Sequence, residues 1–152
     1  SMAENIKKFD SDRKKEIFKL SNGKFIAPQI IENIFKSSQL IDQIMVIGEN
    51  KKFASALISP NFKYFGDWTK SRKITATNNE ELIRHPAVLE SFSNEIDNLN
   101  RQLSPYERVI RFRLVQDEWT PATGELSPTL KLRRQFIHNK YKKLISQIYF
   151  MN

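Results

Sequence analysis

Two short apolar runs separated by a polar turn dominate the middle of this chain. "IDQIMVIGENKKFASALISP" (41–60) places Ile44–Ile47 and Phe53–Ile58 on either side of "GENKK". Runs of that length with a turn between them predict a β-hairpin, and Pro60 stops the second strand. The rest of the fold has to cover that hairpin. Pro28 suits the first position of a helix, and Ile30, Ile31, Ile34 and Phe35 then recur at helical spacing. "NFKYFGDWTKSR" (61–72) predicts a short helix with Phe62, Phe65 and Trp68 inward. A further helix starts after Thr77, with Glu80 and Glu81 near its positive end, and His85-Pro86 breaks or bends it. Leu89, Phe92, Ile96, Leu99 and Leu103 continue the stripe until Ser104-Pro105.

Two extended pieces flank this centre. Near the start, Ile17, Phe18 and Leu20 precede the turn Ser21-Asn22-Gly23, and Phe25-Ile26 resume an extended path. "RVIRFRLV" (108–115) sets Ile110, Phe112 and Leu114 against Arg111 and Arg113, which predicts one buried and one wet face. After the loop "QDEWTPATGELSP", Ile137, Tyr141, Leu144, Ile145 and Ile148 form the stripe of a last helix. At 152 residues the chain makes one domain, an α+β fold with a small, mainly antiparallel sheet and helices packed on its faces.

Composition excludes several chemistries. There is no cysteine, which removes disulfides, thiol catalysis and thiolate metal sites. The two histidines, His85 and His138, have no metal-ligand spacing. Four glycines (Gly23, Gly48, Gly66 and Gly124) cannot build a Gly-rich phosphate cradle, and no nucleotide-loop, nucleophile-elbow or zinc-protease motif is present. The N-terminus has no apolar signal core, and no run approaches a membrane span. A net charge of +8 favours polyanions without choosing among nucleic acid, acidic lipid and phosphorylated small molecules.

A domain with these contents that works on a phosphate must carry a side chain to a site built elsewhere. Lys131 in "GELSPTLKLRR" (124–134) is the best candidate. Leu130 and Leu132 are expected to anchor the backbone, Pro128 to stiffen it, and the "PATGE" loop to let the segment move. A lysine reaches a phosphate as a point charge on a flexible stem. One such contact where negative charge develops can lower a barrier by about 3–4 kcal/mol. On composition alone "KLRR" is more often a solvated basic turn, "RKKE" (13–16) a charged surface turn, and Gly23 a turn glycine.

"DRKKEIFKLSNGKFIAPQIIEN" resembles the hinge-and-loop motif of the adenylate-forming acyl-CoA synthetases, with Arg13, Lys15, Gly23, Pro28 and Glu32 at the matching positions. "GELSPTLKLRR" resembles the final motif of that family, whose catalytic lysine matches Lys131, and "IDQIMVIGENKKFASALISPNF" and "NRQLSPYERVIRFRLV" are also similar. Family members acting on acetate or amino acids usually have glycine before the lysine. Leu130 in that place resembles the long-chain fatty acid branch.

The resemblance implies that residues 1–152 are the C-terminal lid domain of a long-chain fatty acid–CoA ligase, with 1–16 as its hinge region. A large adenylating domain would precede it, holding Mg2+ and ATP. It implies roles for Lys131 in adenylation, Lys15 as hinge, Arg13 near the nucleotide, and Gly23 with Lys24 at the channel for CoA. Fatty acid, ATP and CoA would be the substrates, in a cytoplasmic setting, with peripheral membrane contact left open. No nucleic acid is implied. The competing expectations are a basic nucleic-acid-binding module, supported by Arg111 and Arg113, and a stand-alone regulatory domain.

Overall fold

The structure is a computed structural model that describes residues 16–150. Arg13, Lys15 and most of the hinge region lie outside the described residues. Strands β1 (Phe18–Lys19) and β2 (Phe25–Ile26) pair antiparallel around the Ser21-Asn22-Gly23 turn. Helix α1 (Pro28–Phe35) follows with Pro28 at its start, as expected of a residue whose missing N–H costs nothing there.

Strands β3 (Ile41–Ile47) and β4 (Ala54–Pro60) form the predicted hairpin, with Ile44 opposite Ile58. Helices α2 (Phe62–Ser71), α3 (Asn79–Arg84) and α4 (Pro86–Asn100) come next. Each start is capped by a side chain. Asn61 accepts from the Tyr64 N–H, Asn78 from that of Glu81, and His85 Nδ1 from that of Ala87. The His85-Pro86 break therefore converts one periodic stretch into two separately capped helices. A short 3-10 turn (Pro105–Glu107) leads into β5 (Val109–Leu114).

The three long strands are ordered β3-β4-β5, and β5 runs parallel to β4. The three-stranded sheet is therefore mixed, with β3–β4 antiparallel and β5 a parallel edge strand; β1–β2 form a separate antiparallel pair, so two of these three strand pairings are antiparallel. The parallel direction follows from the connection: α2, α3 and α4 return the chain to the other end of the sheet before β5 begins. Asn100, at the end of α4, fixes that entry by exchanging two 2.9 Å hydrogen bonds with the Val109 backbone.

Both faces of this sheet are buried. On one side Ile44, Val46, Ala56 and Ile58 pack with α1 to α4, where the Phe65 and Phe92 rings stack 5.4 Å apart. On the other, Met45, Ile47 and Leu57 meet Trp119, Ile137, Tyr141 and Ile148. Alternate residues of one strand thus serve two cores, which is why the hairpin reads as continuous apolar runs. The second core is closed by α5 (Arg134–Lys140) and α6 (Lys142–Phe150), one stripe broken at Tyr141.

The alternation expected for β5 is not what forms. Its pairing with β4 slips between Ala54–Val109 and Ser55–Arg111, so Ile110 bulges out and is 55% exposed. Arg111 and Arg113 are half-buried instead of wet. The Arg111 guanidinium donates to the Ile148 carbonyl at 2.7 Å and lies 4.9 Å from the Phe53 ring centre, tying β5 to α6.

Candidate functional site

Lys131 sits on a small hairpin of its own. Leu126 and Leu132 form an antiparallel bridge. The Arg133 N–H donates to the Glu125 carbonyl and the Ser127 N–H to the Lys131 carbonyl, each at 2.8 Å. The turn closes from the Leu130 N–H to the Ser127 carbonyl, also at 2.8 Å, with Pro128 in second place. Leu130 then adopts φ +66°. This is a three-residue hairpin loop, whose last position needs left-handed backbone and ordinarily takes glycine. The expectation that Leu130 anchors the segment fails: it is 62% exposed, and only Leu132 packs on the second core. Lys131 is exposed, and among the described residues no carboxylate pairs with its ammonium.

The loop before the hairpin is fastened rather than loose. Glu125 is fully buried, and its carboxylate accepts from the Thr120 N–H, the Thr123 hydroxyl and, at 2.7 Å, the Lys140 ammonium. Burial alone would raise the Glu125 carboxyl, but Lys140, Thr123 and Thr120 hold it below the usual glutamate value. Burial likewise works to lower Lys140, and the Glu125 and Asp117 carboxylates carry it above the usual lysine value. Asp117 also accepts from the Tyr141 hydroxyl at 2.7 Å, and that hydroxyl accepts from the Trp119 indole. Gly124, at φ +100°, lets the chain pass under the Phe136 ring, where a Cβ would lie 2.6 Å from a ring carbon.

On the other side of the hairpin, the Arg134 guanidinium forks onto Glu32 at 2.7 and 2.6 Å and donates to Glu16 at 2.9 Å. Glu32 is buried and also accepts from the Val46 N–H near the end of β3. Burial pushes the Glu32 carboxyl upward, against the pull of Arg134 and Val46. A polar groove of about 480 Å³ is lined by Glu16, Gln29, Lys36, Gln43, Lys131 and Arg134, among others. A larger cavity of about 820 Å³ runs along β5 and is lined by neither Lys131 nor Gly23.

Gly23 occupies the β1–β2 turn at φ +88°, and among the described residues no atom beyond its chain neighbours lies within 4 Å of where its Cβ would be. The turn is fixed by 2.9 Å bonds between Leu20 and Lys24, from Gly23 to Leu20, and from Ser21 to Lys51. The Lys24 ammonium stands 5.5 Å from the Tyr106 ring centre. Gly23 and Lys24 do not line the Lys131 groove. Glu16, by contrast, is brought to it through Arg134. Sequence pattern does not mark Glu125 or Arg134 as supports of the lysine. Arg134 stood in plain view in "KLRR" as one more cation, and Glu125 gave no sign of its burial.

The family described as AMP-binding enzyme C-terminal domain matches residues 15–151, and the chain belongs to that family. Among curated relatives, long-chain-fatty-acid–CoA ligase FadD15 of Mycobacterium tuberculosis is 32% identical over 90% of this chain and 23% of its own length. Human long-chain-fatty-acid–CoA ligase 1 is 33% identical over 91% of this chain and 20% of its own. The chain thus spans about a fifth to a quarter of those relatives. Among solved structures, the A domain of carboxylic acid reductase from Segniliparus rugosus, in complex with AMP and a co-purified carboxylic acid, superimposes with a TM-score of 0.73. It is 23% identical, over 91% of this chain and 20% of that one, which establishes the shared fold.

Proposed function

We propose that this chain is the C-terminal lid of a long-chain fatty acid–CoA ligase and serves a two-step reaction. In the first step a fatty acid carboxylate oxygen attacks the α-phosphorus of ATP, giving acyl-adenylate and pyrophosphate. In the second the CoA sulfur attacks the acyl carbon, giving acyl-CoA and AMP. The observation that carries the reading is Lys131, an exposed ammonium with no carboxylate partner among the described residues, placed directly after the tight loop of a fastened hairpin. It supplies positive charge to the carboxylate and α-phosphate as they approach each other, and acts by electrostatics and positioning. The relatives' fatty acid–CoA ligase names support the acyl substrate, and Leu130 before the lysine fits the resemblance to the long-chain branch.

The second step falls to the other end of the chain. The Gly23 turn, with no side chain and open space around it, lines the path of the pantetheine arm, and Lys24 faces the CoA phosphates. Lys15 is the pivot that exchanges the two ends, and Arg13 lies near the nucleotide ribose. Since the loop before Lys131 is internally bonded, the motion belongs to the whole lid. Among the described residues no three His, Cys, Asp or Glu side chains are placed to hold a metal ion. Mg2+ accompanying ATP would be held by the large adenylating domain, which is the lid's partner. No helix among them is long and apolar enough to cross a membrane. We place the enzyme in the cytoplasm, with fatty acid arriving from solution or a membrane surface. Arg111, engaged with α6, does not offer the exposed basic strand that nucleic-acid binding required.

The test is turnover by the full-length protein: long-chain fatty acid should drive release of pyrophosphate from ATP, and added CoA should yield acyl-CoA and AMP. Pyrophosphate release that no long-chain acid stimulates would overturn the reading.

A further inference from the structure

We infer that Arg134 is a positioning residue for Lys131, which locks the lysine hairpin to the lid's sheet and to the residue next to the hinge. The inference rests on the functional reading of Lys131 given above. Arg134 follows Lys131 by three residues and opens α5. All three of its nitrogens are committed: Nη1 and Nη2 to Glu32, Nε to Glu16. Glu32 is itself pinned, with Oε2 accepting the Val46 N–H at 2.8 Å. The chain of contacts therefore runs from β3, through a buried carboxylate, to the first turn after the hairpin and to Glu16, which adjoins Lys15.

This arrangement does something that a stabilising ion pair need not do. A buried pair is weak evidence for stability, because desolvation offsets much of its attraction. A planar fork on a fixed carboxylate, however, sets direction as well as distance. With Glu125 holding the chain before the hairpin and Arg134 the chain after it, the backbone of Lys131 has no slack on either side. The lever arm carrying the ammonium then moves only when the lid moves, and Glu16 joins that lever to the pivot. Adenylation, which needs the ammonium within a fraction of an ångström, depends on the fork. Thioester formation, which uses the Gly23 turn, does not.

The experiment measures the two half-reactions separately in the full-length protein: pyrophosphate release from ATP and fatty acid, and acyl transfer from supplied acyl-adenylate to CoA. Arg134→Lys keeps a cation beside Glu32 but loses the fork. It should slow adenylation by about 10- to 100-fold and leave acyl transfer at the wild-type rate. Glu16→Gln leaves the buried Arg134–Glu32 pair whole, and should slow adenylation several-fold with transfer again unchanged. Parallel loss of both half-reactions, or wild-type adenylation in either variant, overturns the inference. If Arg134→Lys does not fold, Glu16→Gln alone decides it. Lys131→Ala keeps the two claims apart. Normal adenylation there removes the functional reading, whereas a dead Lys131→Ala beside a normal Arg134→Lys removes only the positioning role.

Discussion

Gly124→Ala should loosen the lysine hairpin through two separable costs. The first is conformational: at φ +100° an L-residue carries strain of about 1–3 kcal/mol. The second is steric. The new methyl would lie 2.6, 2.9 and 3.1 Å from three atoms of the Phe136 ring. Overpacking of that kind costs about 1–3 kcal/mol, and Phe136 is only half-buried, so the lower end applies. Together they give about 2–4 kcal/mol. Displacing the ring also disturbs Arg133, whose guanidinium stands 5.1 Å from the Phe136 ring centre and donates to the Gly124 carbonyl. Urea unfolding of the domain measures the total, and the same substitution in a Phe136→Ala background isolates the strain, which should remain while the steric part vanishes. A loss below about 1 kcal/mol, or equal losses in the two backgrounds, would refute the reasoning.

Leu130→Gly should stabilise the domain by about 1 kcal/mol, because the position is left-handed and the side chain is mostly exposed; a lower urea midpoint would contradict that. Glu125→Gln should cost about 1–3 kcal/mol at neutral pH, since it replaces the buried carboxylate facing Lys140 by a neutral amide and, among the described residues, leaves that ammonium one carboxylate, Asp117, at 3.6 Å. Because Glu125 is held below its ordinary value of 4.5, its contribution is present above that pH and fades as pH falls through the lower folded value. Urea midpoints measured from neutral pH into acid should therefore fall less steeply in Glu125→Gln than in wild type. In Gly23→Leu the new Cβ enters open space among the described residues but carries left-handed strain of about 1–2 kcal/mol, so the lid should fold while acyl-adenylate accumulates and CoA transfer fails. Undiminished transfer would take Gly23 out of the channel.

The elements that sequence pattern located are those whose signal is local. The hairpin β3–β4, Pro28 at the start of α1 and the His85-Pro86 break rest on turn chemistry and periodicity, which act between near neighbours. The misplaced residues depend on partners far along the chain. Ile110 lies outside because β5 slips against β4, and a one-residue bulge leaves no mark in an alternating pattern. Arg111 looked solvated because its acceptor, Ile148, is 37 residues away. Lys131 and Gly23 are singled out by motif and resemblance, and the roles given to them remain proposals. The Glu32–Arg134 and Glu125–Lys140 pairs, 102 and 15 residues apart, were not legible, since charge spacing in sequence does not report burial. Leu130 shows the reverse: sequence marked the departure from glycine, and only the backbone explains what glycine would supply there.

The measurement that bears most directly on the role of Lys131 is the pair of half-reactions in full-length Lys131→Ala. The account predicts that acyl-adenylate formation from fatty acid and ATP is lost, while supplied acyl-adenylate is still converted to acyl-CoA at the wild-type rate. Equal loss of both half-reactions, or retention of the first, would contradict it.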